Sequence, residues 1–203
     1  MPAYLEKAGT THPSIKEVYP MSLATATVEA LPVETIGLRQ FFLDKLDREA
    51  VLIRKTLERV PEGHNNFKPH QRSMALGYLA SIVAGILGWI PVIIERDELN
   101  LDDPSNESLR TRELSTRAEL LHALDTGLAA ARKSLTATTD QHLLTPWAFK
   151  MGGRPVQQQP RTIMIADSVF SHLAHHRGQL TVYLRLVEST VPALYGPSAD
   201  EVN

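Results

Sequence analysis

Between Glu34 and Val60 the apolar positions Leu38, Phe42, Leu46, Ala50, Ile53, Leu57 and Val60 recur every three or four residues, the period of one helix face. Pro61, Glu62 and Gly63 break that pattern and predict the helix end. After the polar loop HNNFKPHQRS, Ser73 is placed to cap a second helix that is apolar all round, from Met74 to Ile94, and Pro91 is expected to kink or finish it. The acidic stretch ERDELNLDDPSNES reads as a linker. A third helix is expected from Leu109 to Leu135, with Leu114, Ala118, Leu121, Leu124, Leu128, Ala131 and Leu135 on one stripe and charges opposite. The period then lapses, and Trp147 to Gln157 points to a short hairpin turning at Gly152 and Gly153. A fourth helix follows Pro160 and runs to Glu188, before a tail anchored at Tyr195 and expected to be loose after Pro197.

Four long helices with unequal connections predict an all-α protein, a four-helix bundle with crossover connections and one short hairpin between the third and fourth helices. Residues 1–32 carry prolines and hydroxyl side chains without a period, and are expected to be an N-terminal extension of a single bundle domain over residues 33–203. The uncharged run from Met74 to Ile94 is long enough to span a membrane. Three glycines, Tyr78, Ser81 and Pro91 dilute it, and the amphipathic helices around it need a central partner, so a core helix and no membrane association are expected.

Composition narrows the chemistry. The 203 residues hold 21 basic and 23 acidic side chains, a formal net charge of -2 that gives nucleic-acid binding no electrostatic support. With no cysteine in the chain, disulfides, thiolate nucleophiles and cysteine-based zinc sites are excluded, and any metal must be held by His, Asp, Glu or water. The first twenty residues mix both signs of charge without an apolar stretch, so a secretory signal is not expected and the protein is read as cytoplasmic. Catalytic triads, phosphate-binding glycine loops and dinucleotide fingerprints are absent from the sequence.

The stretch SHLAHHRGQLTVYLR carries the candidate chemistry. His172 and His176 are four residues apart, one turn along the same helix face, a spacing at which two imidazoles can share a metal ion. The stripe Ile165, Val169, His172, His176, Leu180, Tyr183, Val187 is apolar, so both rings are expected to point into the bundle, with His175 on another face. The bland reading is a pair of hydrogen-bonded core histidines, because an unpaired buried imidazole costs about 1–3 kcal/mol. Arg177 and Gln179, beside the pair, are either ligand-binding groups or packing and pairing residues, and Tyr183 reads as a core anchor.

SHLAHHRGQLTVYLRL followed by VPALYGPSADE resembles the C-terminal helix and tail of the DinB-like (DinB/YfiT) superfamily of four-helix bundles, and FKPHQRSMALGYLAS resembles the start of its second helix. The resemblance implies a metal-dependent enzyme of hydrolase or thiol-dependent transferase type acting on a small molecule, a divalent metal (nickel or zinc) and a homodimer. The paired ligands it implies fall on His172 and His176, while the second-helix ligand falls on Ile82, which cannot coordinate a cation. The inherited site is then weakened or lost, unless His64, His70, His122 or Asp167 substitutes; His70, within the matching FKPH, is the best placed of these. The alternative is a metal-free descendant, a small-ligand-binding or dimeric interaction module without catalysis.

Overall fold

Residues 35–201 are described by the computed structural model. The expected extension over residues 1–32 lies outside them. Helix α1, Leu38–Leu57, buries Phe42, Leu46, Ile53 and Leu57, so the period read from its sequence is the period of its buried face. Its first turn has no cap of its own. The Asp140 carboxylate, far along the chain, accepts from the backbone N–H groups of Leu38 (3.0 Å) and Arg39 (2.8 Å). Gly37 makes room for this cap, since a Cβ there would stand 2.7 Å from Asp140 Oδ2.

The apolar second helix is interrupted. Helix α2, Leu76–Gly85, passes through a 3-10 turn at Ile86–Gly88 into α3, Trp89–Glu95. Pro91 sits in the first turn of α3, where its missing N–H costs little, and the break falls one turn before it, where its ring would crowd the preceding helix. Leu76, Leu79, Ala80, Val83, Leu87 and Ile90 have no exposed surface, and 67% of the most apolar window of Leu76–Glu95 lies inside the fold. A segment of membrane-spanning length is here the central helix of a bundle.

The acidic stretch is more ordered than a linker. It holds strand β1, Glu98–Asn100, and a 3-10 segment, Pro104–Leu109, capped by Asp103 on the N–H of Ser105. Helix α4, Arg117–Ala137, starts eight residues later than its apolar stripe suggested, because Thr116 and Glu119 form a reciprocal capping box there. Thr116→Ala should lower stability by about 1 kcal/mol in urea denaturation, and an unchanged midpoint would mean that the box does not fix this helix start. A short α5, Asp140–Leu143, leads to strands β2, Pro146–Met151, and β3, Arg154–Pro160. The predicted hairpin turn is at Gly152 and Gly153, with φ of 56° and 73°, values that glycine adopts without strain. The sheet order is β1-β2-β3, with β1 parallel and β3 antiparallel to β2, so a small three-stranded sheet accompanies the helices.

The last helix begins as α6, Arg161–Met164, winds as a π-helix over Ile165–Ser171, and ends as α7, His172–Leu186. Helix α4 packs on α1, α2 and α3, while α7 packs on α2 and α1; helices adjacent in sequence are not simply adjacent in space, which is the crossover arrangement. Buried Arg161 ties the far end together: it donates to the carbonyls of Ile93 (3.0 Å), Arg96 (3.0 Å) and Pro146 (2.8 Å), joining the end of α3 to the start of β2. The tail beyond Pro197 is not loose as expected. Asp200 accepts from Arg185 at 2.5 Å, and Glu201 accepts from Arg59 at 2.6 Å and from the N–H of Ala193 at 3.0 Å.

Candidate functional site

A π turn takes more residues per revolution than an α turn, so it shifts which side chains face inward after it. Beyond Val169 the core stripe continues through Leu173, Arg177, Leu180 and Leu184, all at most 1% exposed. The histidines are rotated to its edge. His176 is 7% exposed, and His172 is exposed on a cavity wall, which corrects the expectation that both imidazoles enter the bundle core. The same phase change puts Asp167 and Ser168 on that wall, which a uniform helix reading of the sequence did not anticipate.

The two rings are coupled. Gln179 Oε1 accepts from His176 Nδ1 at 2.9 Å, which leaves His176 Nε2 as an acceptor for the N–H of His172 Nε2 at 2.7 Å. Burial pushes the His176 imidazole below its ordinary value, the Gln179 hydrogen bond opposes this, and the charges of His172 and His175 push it down further, so the net direction is down. His176 is therefore held neutral near pH 7, and Gln179, expected from the sequence as a ligand-binding or a pairing residue, pairs with it and orients it.

Both histidines open onto a cavity of about 870 Å³. Its walls come from α2, the 3-10 turn after it and α3 (Ile82, Ile86, Trp89), the segment Ser108–Arg112, the sheet (Trp147, Phe149, Gln157) and the last helix (Met164, Asp167, Ser168). Trp89 packs edge-on against Phe149, with ring centroids 6.3 Å apart. The volume falls within the range of sites that enclose a small molecule, and the mixture of apolar surface with a few polar groups is typical of them.

Ile82 lines the same cavity as His172 and His176. Among the described residues no group of three His, Cys, Asp or Glu side chains is close enough together to hold a metal ion. His64, His70 and His122 are absent from the cavity wall; His64 Nδ1 lies against the carbonyl of Glu62, and His70 Nδ1 accepts from the N–H of Arg72. Two nitrogens on one tetrahedral zinc stand about 3.3 Å apart, so the 2.7 Å pair is set for a shared proton. The donor set does not fit a centre with three protein ligands.

Arg177 points away from the cavity. It is 1% exposed and pairs with Glu49 at 2.5 Å, while its other terminal nitrogen donates to the Tyr195 hydroxyl. Of the two readings of Arg177, packing and pairing describes it, with the partner carboxylate on α1 of the same chain. Gly178 beside it is exposed, with nothing in this chain close to where a Cβ would sit. Tyr183 is the expected core anchor, its hydroxyl donating to the Met74 carbonyl at 3.2 Å.

The sequence model of the DinB family matches residues 38–203. The uncharacterised protein YrdA of Bacillus subtilis strain 168 is 26% identical over 160 residues, which span 79% of this chain and 89% of YrdA. A DinB-like protein of Bacillus cereus ATCC 10987 superposes with a TM-score of 0.56 at 25% identity, covering 76% of this chain and 95% of that one. The DinB-like protein YjoA of B. subtilis gives a TM-score of 0.56 at 17% identity over 75% of this chain and 96% of its own, a likeness of fold alone.

Proposed function

Because the chain belongs to the DinB family yet carries Ile82 in the wall of the cavity that its histidine pair lines, we propose that it is a small-molecule-binding protein whose cavity meets its ligand with a proton-sharing His172–His176 pair instead of a three-ligand metal centre. The observation that carries the reading is the single cavity containing both imidazoles and Ile82. An alkyl side chain adds apolar surface where a third ligand would add charge affinity, and Gln179 holds His176 in one tautomer, so the pair presents His172 to the cavity as its polar end. Zn²⁺ and Ni²⁺ then bind weakly, through two imidazoles and water.

The second reading, a metal-dependent hydrolase or thiol-dependent transferase, has one observation in its favour: the His-x-x-x-His pair opens onto a cavity large enough for a substrate. Titration calorimetry of the untagged chain with Zn²⁺ and with Ni²⁺ separates the two. We expect no sub-micromolar site. One tight equivalent that disappears in His176→Ala would overturn the metal-free reading in favour of the metal-dependent one.

A further inference from the structure

The charged groups and buried polar groups on the cavity wall divide into those already satisfied and those left over. Ser81 is satisfied, donating to the Gly77 carbonyl at 2.7 Å and accepting from the N–H of Leu114 at 2.8 Å. Arg110 is neutralised by Glu107 at 3.0 Å and Asp102 at 3.4 Å. The imidazoles use each other and Gln179. Among the described residues, the exposed Arg112 guanidinium has no counter-ion and no hydrogen-bond partner, while the Trp147 indole N–H, also without an acceptor, is buried at its nitrogen and out of reach of an occupant. Asp167 is the one carboxylate on the wall, exposed and likewise unpaired among the described residues.

Of the leftover groups only Arg112 and Asp167 are exposed on the wall, and Arg112 is a permanent cation at the end of the loop that closes one side of the cavity. Most of the remaining wall is alkyl and aromatic, including Ile82, Ile86, Trp89 and Phe149.

Resting on the small-molecule reading above, we propose that the ligand is a monocarboxylate with an extended apolar body. Arg112 receives the carboxylate at the rim, where a planar guanidinium can engage both oxygens, and the apolar body lies along Ile82, Ile86, Trp89 and Phe149. Charge complementarity selects the anion over a neutral alcohol of the same length. Asp167 makes a cationic amphiphile the rival occupant.

Both tryptophans of the chain, Trp89 and Trp147, line this cavity, so intrinsic fluorescence reports occupancy without a label. The full chain is titrated with decanoate, decanol and decyltrimethylammonium, each below its micellar or solubility limit. Decanoate is expected to change the emission saturably and to bind about three- to tenfold more tightly than decanol, the range for one partly exposed charge-assisted contact. Arg112→Gln should bring decanoate to the affinity of decanol and leave decanol unchanged. A tightest fit for decyltrimethylammonium, lost in Asp167→Asn, overturns the proposal, as does a decanoate preference that survives Arg112→Gln. Equal binding of decanoate and decanol sinks the carboxylate inference and leaves the small-molecule reading standing. No saturable change with any of the three overturns both.

Discussion

Glu49→Ala should remove about 3–5 kcal/mol of folding stability, seen as a lower urea midpoint at unchanged slope. Glu49 and Arg177 are 2% and 1% exposed, and the pair is 2.5 Å apart. Lys45 also reaches Glu49 Oε1 at 2.9 Å, and the Tyr195 hydroxyl donates to it at 3.0 Å. Removing the carboxylate leaves a buried guanidinium whose remaining partner here is a neutral hydroxyl, and the penalty is chiefly that stranded charge. Replacing both partners with apolar groups, Glu49→Leu with Arg177→Met, should recover most of the loss, because no charge is left uncompensated. A loss under 1 kcal/mol for Glu49→Ala would mean that water reaches Arg177.

The same substitution should flatten the acid limb of the stability profile. Burial by itself raises the Glu49 carboxyl, but hydrogen bonds from Lys45 and Arg177 and their positive charges outweigh it and hold the group below its ordinary 4.5. A carboxylate depressed in the folded state contributes stability that is present above its unfolded value and lost as pH falls through the folded one. Wild type should therefore lose stability below about pH 4.5 more steeply than Glu49→Ala. Asp200 and Glu201 shift in the same direction, the first through its hydrogen bond from Arg185 and the second through that from the Ala193 backbone, so the tail's attachment weakens over the same acid range.

What could be read from the sequence divides along local and non-local lines. The period of α1, the apolar α2–α3 segment and the glycine turn of the hairpin are local signals, and the structure keeps all three. Strand β1 is three residues long, too short to show alternation, and it exists because Phe149 and its neighbours offer a parallel edge. The start of α4 was legible in the Thr116–Glu119 spacing, but Leu109 and Leu114 extended the apolar stripe and drew the expected boundary upstream. The histidine pair was legible from its spacing and its burial only in part, since the π turn that moves His172 outward leaves no mark in the residue pattern. The Glu49–Arg177 pair joins residues 128 positions apart, and no local rule links them. The cavity draws its wall from several separate segments, so its charge pattern emerges only once they are folded together.

Ile82→His should raise Zn²⁺ affinity by about two orders of magnitude, because it supplies a third imidazole on the wall that already holds the pair. Ile82 is half-buried at the cavity surface, not locked in the core, so the polar replacement can keep its hydrogen bonds to water in the metal-free protein and should cost little stability. Binding requires the His172–His176 hydrogen bond to open and the proton on His172 Nε2 to move to its Nδ1, so that both Nε2 atoms offer lone pairs to the cation. At about a hundredfold excess of zinc over Kd the bound variant should gain about 2.7 kcal/mol against unfolding, and His176→Ala in the same background should erase the gain. An Ile82→His protein that binds zinc no better than wild type would show that position 82 does not converge with the pair, and the placing on Ile82 of the second-helix ligand that the resemblance implies would fail with it.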